Sequence, residues 1–108
     1  MRVQITTRSG KVAESVRERA EKMVKALHRF DPRISAAEVI FDEVGALNRV
    51  EIVVSVDGTD PAVAHSEEDG ARRALDQTLQ RIRRILTKHR EQARDHRGPS
   101  LSDAVRES

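Results

Sequence analysis

The apolar residues of this chain change period twice, and that change limits the folds open to it. From Lys11 to Phe30 the residues Val12, Val16, Ala20, Met23, Val24 and Leu27 recur at helical spacing. From Ala37 the interval drops to two. Ala37, Val39 and Phe41 alternate with Glu38, Ile40 and Asp42, and Val50, Ile52, Val54 and Val56 alternate with Arg49, Glu51, Val53 and Ser55. After about residue 70 the helical interval returns, with Ala71, Leu75, Leu79, Ile82, Leu86 and Ala93 on one stripe as far as about residue 94. Such a chain must lay one-sided helices on a one-sided sheet.

Turn residues punctuate this pattern. Val3, Ile5 and Thr7 alternate with Arg2, Gln4 and Thr6, which predicts a first strand over about 2–7 that Ser9-Gly10 ends. Asp31-Pro32 closes the first helix, because a residue before proline avoids the helical region. Gly45-Ala46-Leu47-Asn48 reads as a hairpin loop, and Asp57-Gly58-Thr59-Asp60-Pro61 as a second turn. That leaves about 62–67 for a fourth strand, whose two faces the sequence does not distinguish. The expected fold is α+β, a β-α-β-β-β-α two-layer sandwich with two helices packed on one face of a four-stranded sheet. The other face should show Glu38, Asp42, Glu51 and Asp57 to water, and Glu68 and Asp69 should cap the second helix. With 108 residues there is enough apolar content for one core: a domain over 1–95, followed by a flexible tail over 96–108 containing Gly98-Pro99-Ser100.

The net charge of +2 hides a segregation. Residues 11–30 carry six bases against three acids, 31–69 two bases against ten acids, and 70–94 eight bases against two acids. Acid belongs to the strands and base to the helices, which predicts one acidic and one basic surface. On a helical wheel Lys25, Arg29 and Lys22 fall at about 180°, 220° and 240° from Val16, opposite the apolar stripe. Arg84, Lys88 and Arg81 fall at the same angles from Leu75. Packed side by side, the helices would present two matching ladders of cations, extended by Arg8, Lys11, Arg73 and Arg90.

Outward Lys and Arg also suit plain solvated helices, and Glu18 and Glu21 are spaced to pair with Lys22 and Lys25. The stretch 80-QRIRRILTKHR-90 is different: it holds five Arg or Lys and no acid, so its cations repel one another unless something anionic binds there. RNA or DNA is the obvious polyanion. With two Phe and no Trp or Tyr, the chain lacks aromatic platforms for single strands, so recognition should run through phosphates and RNA shape.

Other chemistries fall away. The chain has no Cys, and His28, His65, His89 and His96 form no metal-binding spacing. Phosphate loops, nucleophile elbows and dinucleotide fingerprints are missing from it. The expectation is a non-enzymatic protein with no cofactor, no metal and no small-molecule substrate. Without a signal-like start or a long apolar run, it is expected in the cytoplasm and off the membrane.

The segments 3-VQITTRSGKVAESVRERAEKMVKALHRFDPRISAAEVIF-41, 49-RVEIVVSVDG-58 and 78-TLQRIRRILTKHRE-91 together resemble the bacterial ribosome hibernation-promoting factor and protein Y family over about residues 1–95. The resemblance implies binding to the small ribosomal subunit and its rRNA at the decoding centre, in the channel of messenger RNA and the A- and P-site transfer RNAs. Occupancy there would inhibit translation and hold ribosomes inactive under stress. Lys22, Lys25, Arg29, Arg81, Arg84 and Lys88 match the family's basic helical surface by position. The chain departs from the family at 67-EEDGARRAL-75, where members often carry a Glu-Asp-Met-Tyr-like segment. It resembles the short forms, without a ribosome-pairing C-terminal domain, and is expected to be a monomer off the ribosome. The alternatives are a general structured-RNA binder and a sheet-edge protein-interaction module.

Overall fold

The structure, a computed structural model, describes the backbone of residues 1–97 and the side chains of residues 1–92. Its elements are β1 (Arg2–Thr7), α1 (Glu14–Phe30), β2 (Ile34–Val44), β3 (Leu47–Val56), β4 (Ala62–Glu68) and α2 (Ala71–Arg97). The expected β-α-β-β-β-α sandwich is the observed one. The strands lie in the order β1-β2-β3-β4, with β1 parallel to β2 and the remaining pairs antiparallel. A parallel neighbour cannot be reached by a tight turn, so α1 serves as the crossover from β1 to β2.

Alternation decides which side chains meet the helices. Ala37, Val39 and Phe41 of β2, Val50, Ile52 and Val54 of β3, and Ala62 and Ala64 of β4 are buried against Ala20, Val24 and Leu27 of α1 and Leu75, Leu79, Ile82 and Leu86 of α2. Burying a side chain of Leu or Phe size contributes about 1.5–3 kcal/mol, so this single cluster holds both layers together. Thr78 is the polar member of that stripe: its Oγ1 lies 2.7 Å from Ala74 O and 3.2 Å from Val50 O, so one proton is shared between its own helix and β3.

Several boundaries differ from those expected. Helix α1 starts at Glu14 rather than Lys11, because Ala13, with ψ at 144°, turns its carbonyl to the N–H groups of Val16 and Arg17. Val12 stays outside the helix and still packs on the core. The hairpin is tighter than the four residues expected: Val44 pairs with Leu47, and Gly45 takes the positive φ of 61° that opens a type II′ turn. Strand β4 turns Ala62, Ala64 and Ser66 inward and Val63, His65 and Glu67 outward. Asp57 lies in the turn after β3 rather than on the sheet face. Glu68 ends β4, and it is Gly70, not an acid, whose carbonyl receives the first helical N–H, from Ala74 at 3.1 Å. Helix α2 runs to Arg97, about three residues past its expected end and two into the expected tail. The remainder of the expected tail, residues 98–108, and the side chains of Ala93 and His96 lie outside the described residues.

Candidate nucleic-acid interface

The two helices run in the same direction, since β4 points the same way as β1 and each helix doubles back over its strand. Arg19 near the start of α1 meets Asp76 near the start of α2, Nε to Oδ1 at 2.9 Å. At the other end Arg90 Nη1 donates to the Phe30 carbonyl at 2.9 Å. Seven residues of α2 follow Arg90, so it projects about 10 Å past the end of α1.

These contacts orient both helices around their axes. On α1, Arg17 donates to Thr7 Oγ1 at 2.9 Å and His28 Nδ1 lies 3.0 Å from Ile34 O, so that flank faces the sheet. Arg19 and Met23 face α2, lining a groove with Asp76, Leu79, Gln80 and Arg83. Lys22, Lys25 and Arg29 are exposed on the outer surface, as the wheel predicts. The solvated pairing foreseen there is present in part: Lys25 Nζ sits 3.0 Å from Glu21, four residues earlier, and both line a concavity with Glu18 and Lys22.

On α2 the ladder divides. Arg84 and Lys88 are exposed and line a shallow groove of about 420 Å³ with Phe30, Arg83 and Thr87. Arg81 leans the other way, its Nη1 donating to His65 O of β4 at 2.7 Å. Of the three α2 cations expected to line a shared surface with those of α1, Arg84 and Lys88 therefore stay on the exposed helix face, while Arg81 reaches the sheet edge. Of the four outlying cations, Arg73 is exposed in the first turn of α2, and Arg90 is fixed on Phe30. Lys11 is exposed in the loop before α1. Arg8 follows β1, where its charge helps lower the pKa of Asp42, whose carboxylate is held chiefly by the Ser9 hydroxyl.

Among the described residues, Lys22, Arg29, Arg73, Arg84 and Lys88 have no carboxylate within 4.0 Å. The opposite surface of the molecule is of the other sign. Glu38, Asp42, Glu51 and Glu67 lie on the outer sheet face, where Glu38 accepts from Thr6 Oγ1 at 3.0 Å and Glu67 pairs with Arg49 at 3.3 Å. That face is not wholly polar: Ile40 is 7% exposed, covered in register by Thr6 and Glu51.

Three side chains of this region escaped the sequence reading. Arg19, Arg83 and Phe30 lie where the helices meet, and both Arg83 and Arg90 place their guanidinium carbons over the Phe30 ring, 5.9 and 5.4 Å from its centroid. The wheel carries the signal, since Arg83 falls at about 80° from Leu75, on the flank rather than opposite the core. Among the described residues no three His, Asp or Glu side chains are grouped to hold a metal ion, and no helix is long and apolar enough to cross a membrane.

Over residues 3–94 the chain matches the profile of a family described as Sigma 54 modulation protein / S30EA ribosomal protein. Among solved structures it is similar to a ribosomal subunit interface protein from Coxiella burnetii, with a TM-score of 0.76 and 22% identity, covering 84% of this chain and 99% of that one. It is also similar to the N-terminal domain of Protein Y from Thermus thermophilus, with a TM-score of 0.71 and 21% identity, covering 82% of this chain and 99% of that one. At these identities the likeness is one of fold. No curated protein matches the chain.

Proposed function

Because the chain belongs to the Sigma 54 modulation protein / S30EA ribosomal protein family, we propose that it is a ribosome-associated translation inhibitor acting by occlusion. In this reading the helix-bearing face lies on the rRNA of the small subunit at the decoding centre. It fills the channel of messenger RNA and the A- and P-site transfer RNAs and holds the ribosome inactive under stress. No bond is made or broken.

The observation that carries this reading is the charge split between layers. Arg84 and Lys88 on α2 and Lys22 and Arg29 on α1 stand exposed without acid partners among the described residues, while the acids gather on the far face of the sheet. A polyanion approaching from the helix side meets cations, and one approaching from the sheet side meets carboxylates. Binding through phosphates suits a site that must recognise folded RNA by shape. Arg81, by occupying the His65 carbonyl, weighs against the sheet edge as a docking strand for a protein partner.

The test is co-sedimentation of the protein with vacant ribosomes and with separated subunits, with and without excess transfer RNA and messenger RNA. Binding to the small subunit that those ligands displace is the expected result. About six phosphate contacts would lower the affinity roughly a thousandfold between about 50 and 200 mM salt. Equal affinity for free duplex RNA would point instead to a general structured-RNA binder.

A further inference from the structure

We propose that the shallow groove where the end of α1 meets α2 seats one unstacked nucleotide of an RNA strand, its base on the Phe30 ring and its phosphate on Arg84 and Lys88. This rests on the reading that the helix face binds RNA, and it adds a base-contacting element to a surface otherwise built for phosphates.

The groove, at about 420 Å³, is within the size range of small-ligand sites. Its composition is unusual for a solvated helix flank: an aromatic ring, three cations and one acid, Glu91. Phe41, the second of the two Phe in the chain, is 2% exposed in the core, whereas Phe30 is only partly buried. The ring already accepts planar cationic groups over its face, so it presents a π surface of the kind on which bases stack. The two guanidinium groups are not equivalent. Arg90 is tethered to the Phe30 carbonyl, while Arg83 is exposed and has no hydrogen bond or ion pair among the described residues. Arg83 is free to leave the ring and follow a phosphate, and the base takes its place. Glu91 stands at the groove to meet a donor on the base edge, and its carboxylate directs the phosphate toward Arg84 and Lys88, while Gln80 lies about 16 Å away along α2 at the other end of the groove. An acidic peptide would satisfy the cations but offer no flat face for Phe30. The stretch from Gln77 to Arg90, free of acid, continues the positive path that a strand charged at every residue would follow.

With two Phe, four His and no Tyr or Trp, the phenyl ring protons of the intact protein come from Phe30 and Phe41 alone, and Phe41 serves as an internal control. The protein is titrated at low salt with a cytidine RNA hexamer, an abasic hexamer of equal charge, cytidine monophosphate and hexaglutamate. Expected is an upfield ring-current shift of the Phe30 protons with the RNA hexamer, little with the abasic strand or the peptide, and no movement of Phe41. Phe30→Leu should weaken binding of the RNA hexamer about tenfold and leave the abasic strand unaffected. Equal Phe30 shifts with abasic RNA or hexaglutamate would overturn the proposal, and saturation by the monophosphate alone would overturn its assignment to a strand. An unmoved Phe30 ring while α2 amides respond to RNA would remove the base subsite and leave the ribosome reading standing. Failure of that reading shows separately, as absence of co-sedimentation.

Discussion

Arg33 grips the Asp31 carboxylate on both oxygens, with Nε 3.1 Å from Oδ1 and Nη2 2.9 Å from Oδ2, and its own backbone N–H also donates to Oδ1. The carboxylate is 1% exposed at the point where α1 ends, and the Asp31 N–H closes the helix on Leu27 O. The Arg33 carbonyl in turn accepts from the Asp57 N–H, so this pair ties the exit of α1 to the turn after β3.

Hydrogen bonding from the Arg33 side chain holds the Asp31 carboxyl below its ordinary value of 3.8. The folded state thus favours the charged form, so the stabilisation is fully present above about pH 3.8 and is lost as pH falls through the lower, folded value. Asp31→Asn should cost about 1.5–3 kcal/mol at pH 7, the range for a hydrogen bond to a charged group. Urea denaturation from neutral to strongly acid pH should show the wild type converging on the variant only in acid. A gap that stays constant with pH would mean that the charge contributes nothing.

Single charge reversals should not be equal along the helix face. Arg84→Glu and Lys88→Glu remove cations that have no carboxylate partner among the described residues, and each should weaken ribosome binding and flatten its salt dependence by about one unit of log–log slope. Lys25→Glu should cost less affinity, because Lys25 already shares its charge with Glu21. Circular dichroism should be unchanged in all three. Equal losses would show that the Glu21 pair opens on binding.

Strand β4 offers a direct test of facing. Val63 is 44% exposed on the outer side and Ala64 is buried against the helices. Val63→Lys should change stability by no more than about 0.5 kcal/mol. Ala64→Lys forces a long charged side chain into a packed layer and should cost more than about 3 kcal/mol or prevent folding. Thermal melts of the two variants decide it, and a reversed order would mean the register of β4 on β3 is wrong by one residue.

Arg81 is predicted to serve the sheet edge as well as the charge of α2. Arg81→Gln keeps a donor near His65 O but loses the charge, and should weaken RNA binding while the protein sediments as before. Arg81→Leu loses both and should in addition raise self-association at high concentration, through an uncovered edge strand. Identical sedimentation of the two variants would show that the hydrogen bond does not protect the edge.

Where apolar residues alternate with charged ones, the sequence was legible to the residue: Ala37, Val39 and Phe41 face the core, and Glu38 and Asp42 do not. It failed at β4, where Ala62, Val63 and Ala64 are all apolar and the discriminating residue, Ser66, is a buried polar one. The outward cations of α1 were found because the wheel separates a face from its opposite. Flanks are another matter. What lies beside a helix depends on the neighbour it is given, so Arg83 beside Phe30 and Arg81 beside β4 required the packed arrangement. The Arg19 to Asp76 pair, 57 residues apart in the chain, is of the same kind.

The common direction of α1 and α2 has one more consequence. Each helix carries roughly half a positive elementary charge at its start and half a negative one at its end, and in parallel neighbours these add rather than cancel. Glu14 stands in the first turn of α1 and His28 and Arg29 in its last, which offset the poles of that helix, whereas the first turn of α2 holds Arg72 and Arg73 and no acid. The positive backbone pole at the start of α2 therefore adds to the charge of the exposed Arg73 instead of opposing it, a reinforcement that the start of α1, with Glu14 in its first turn, does not share.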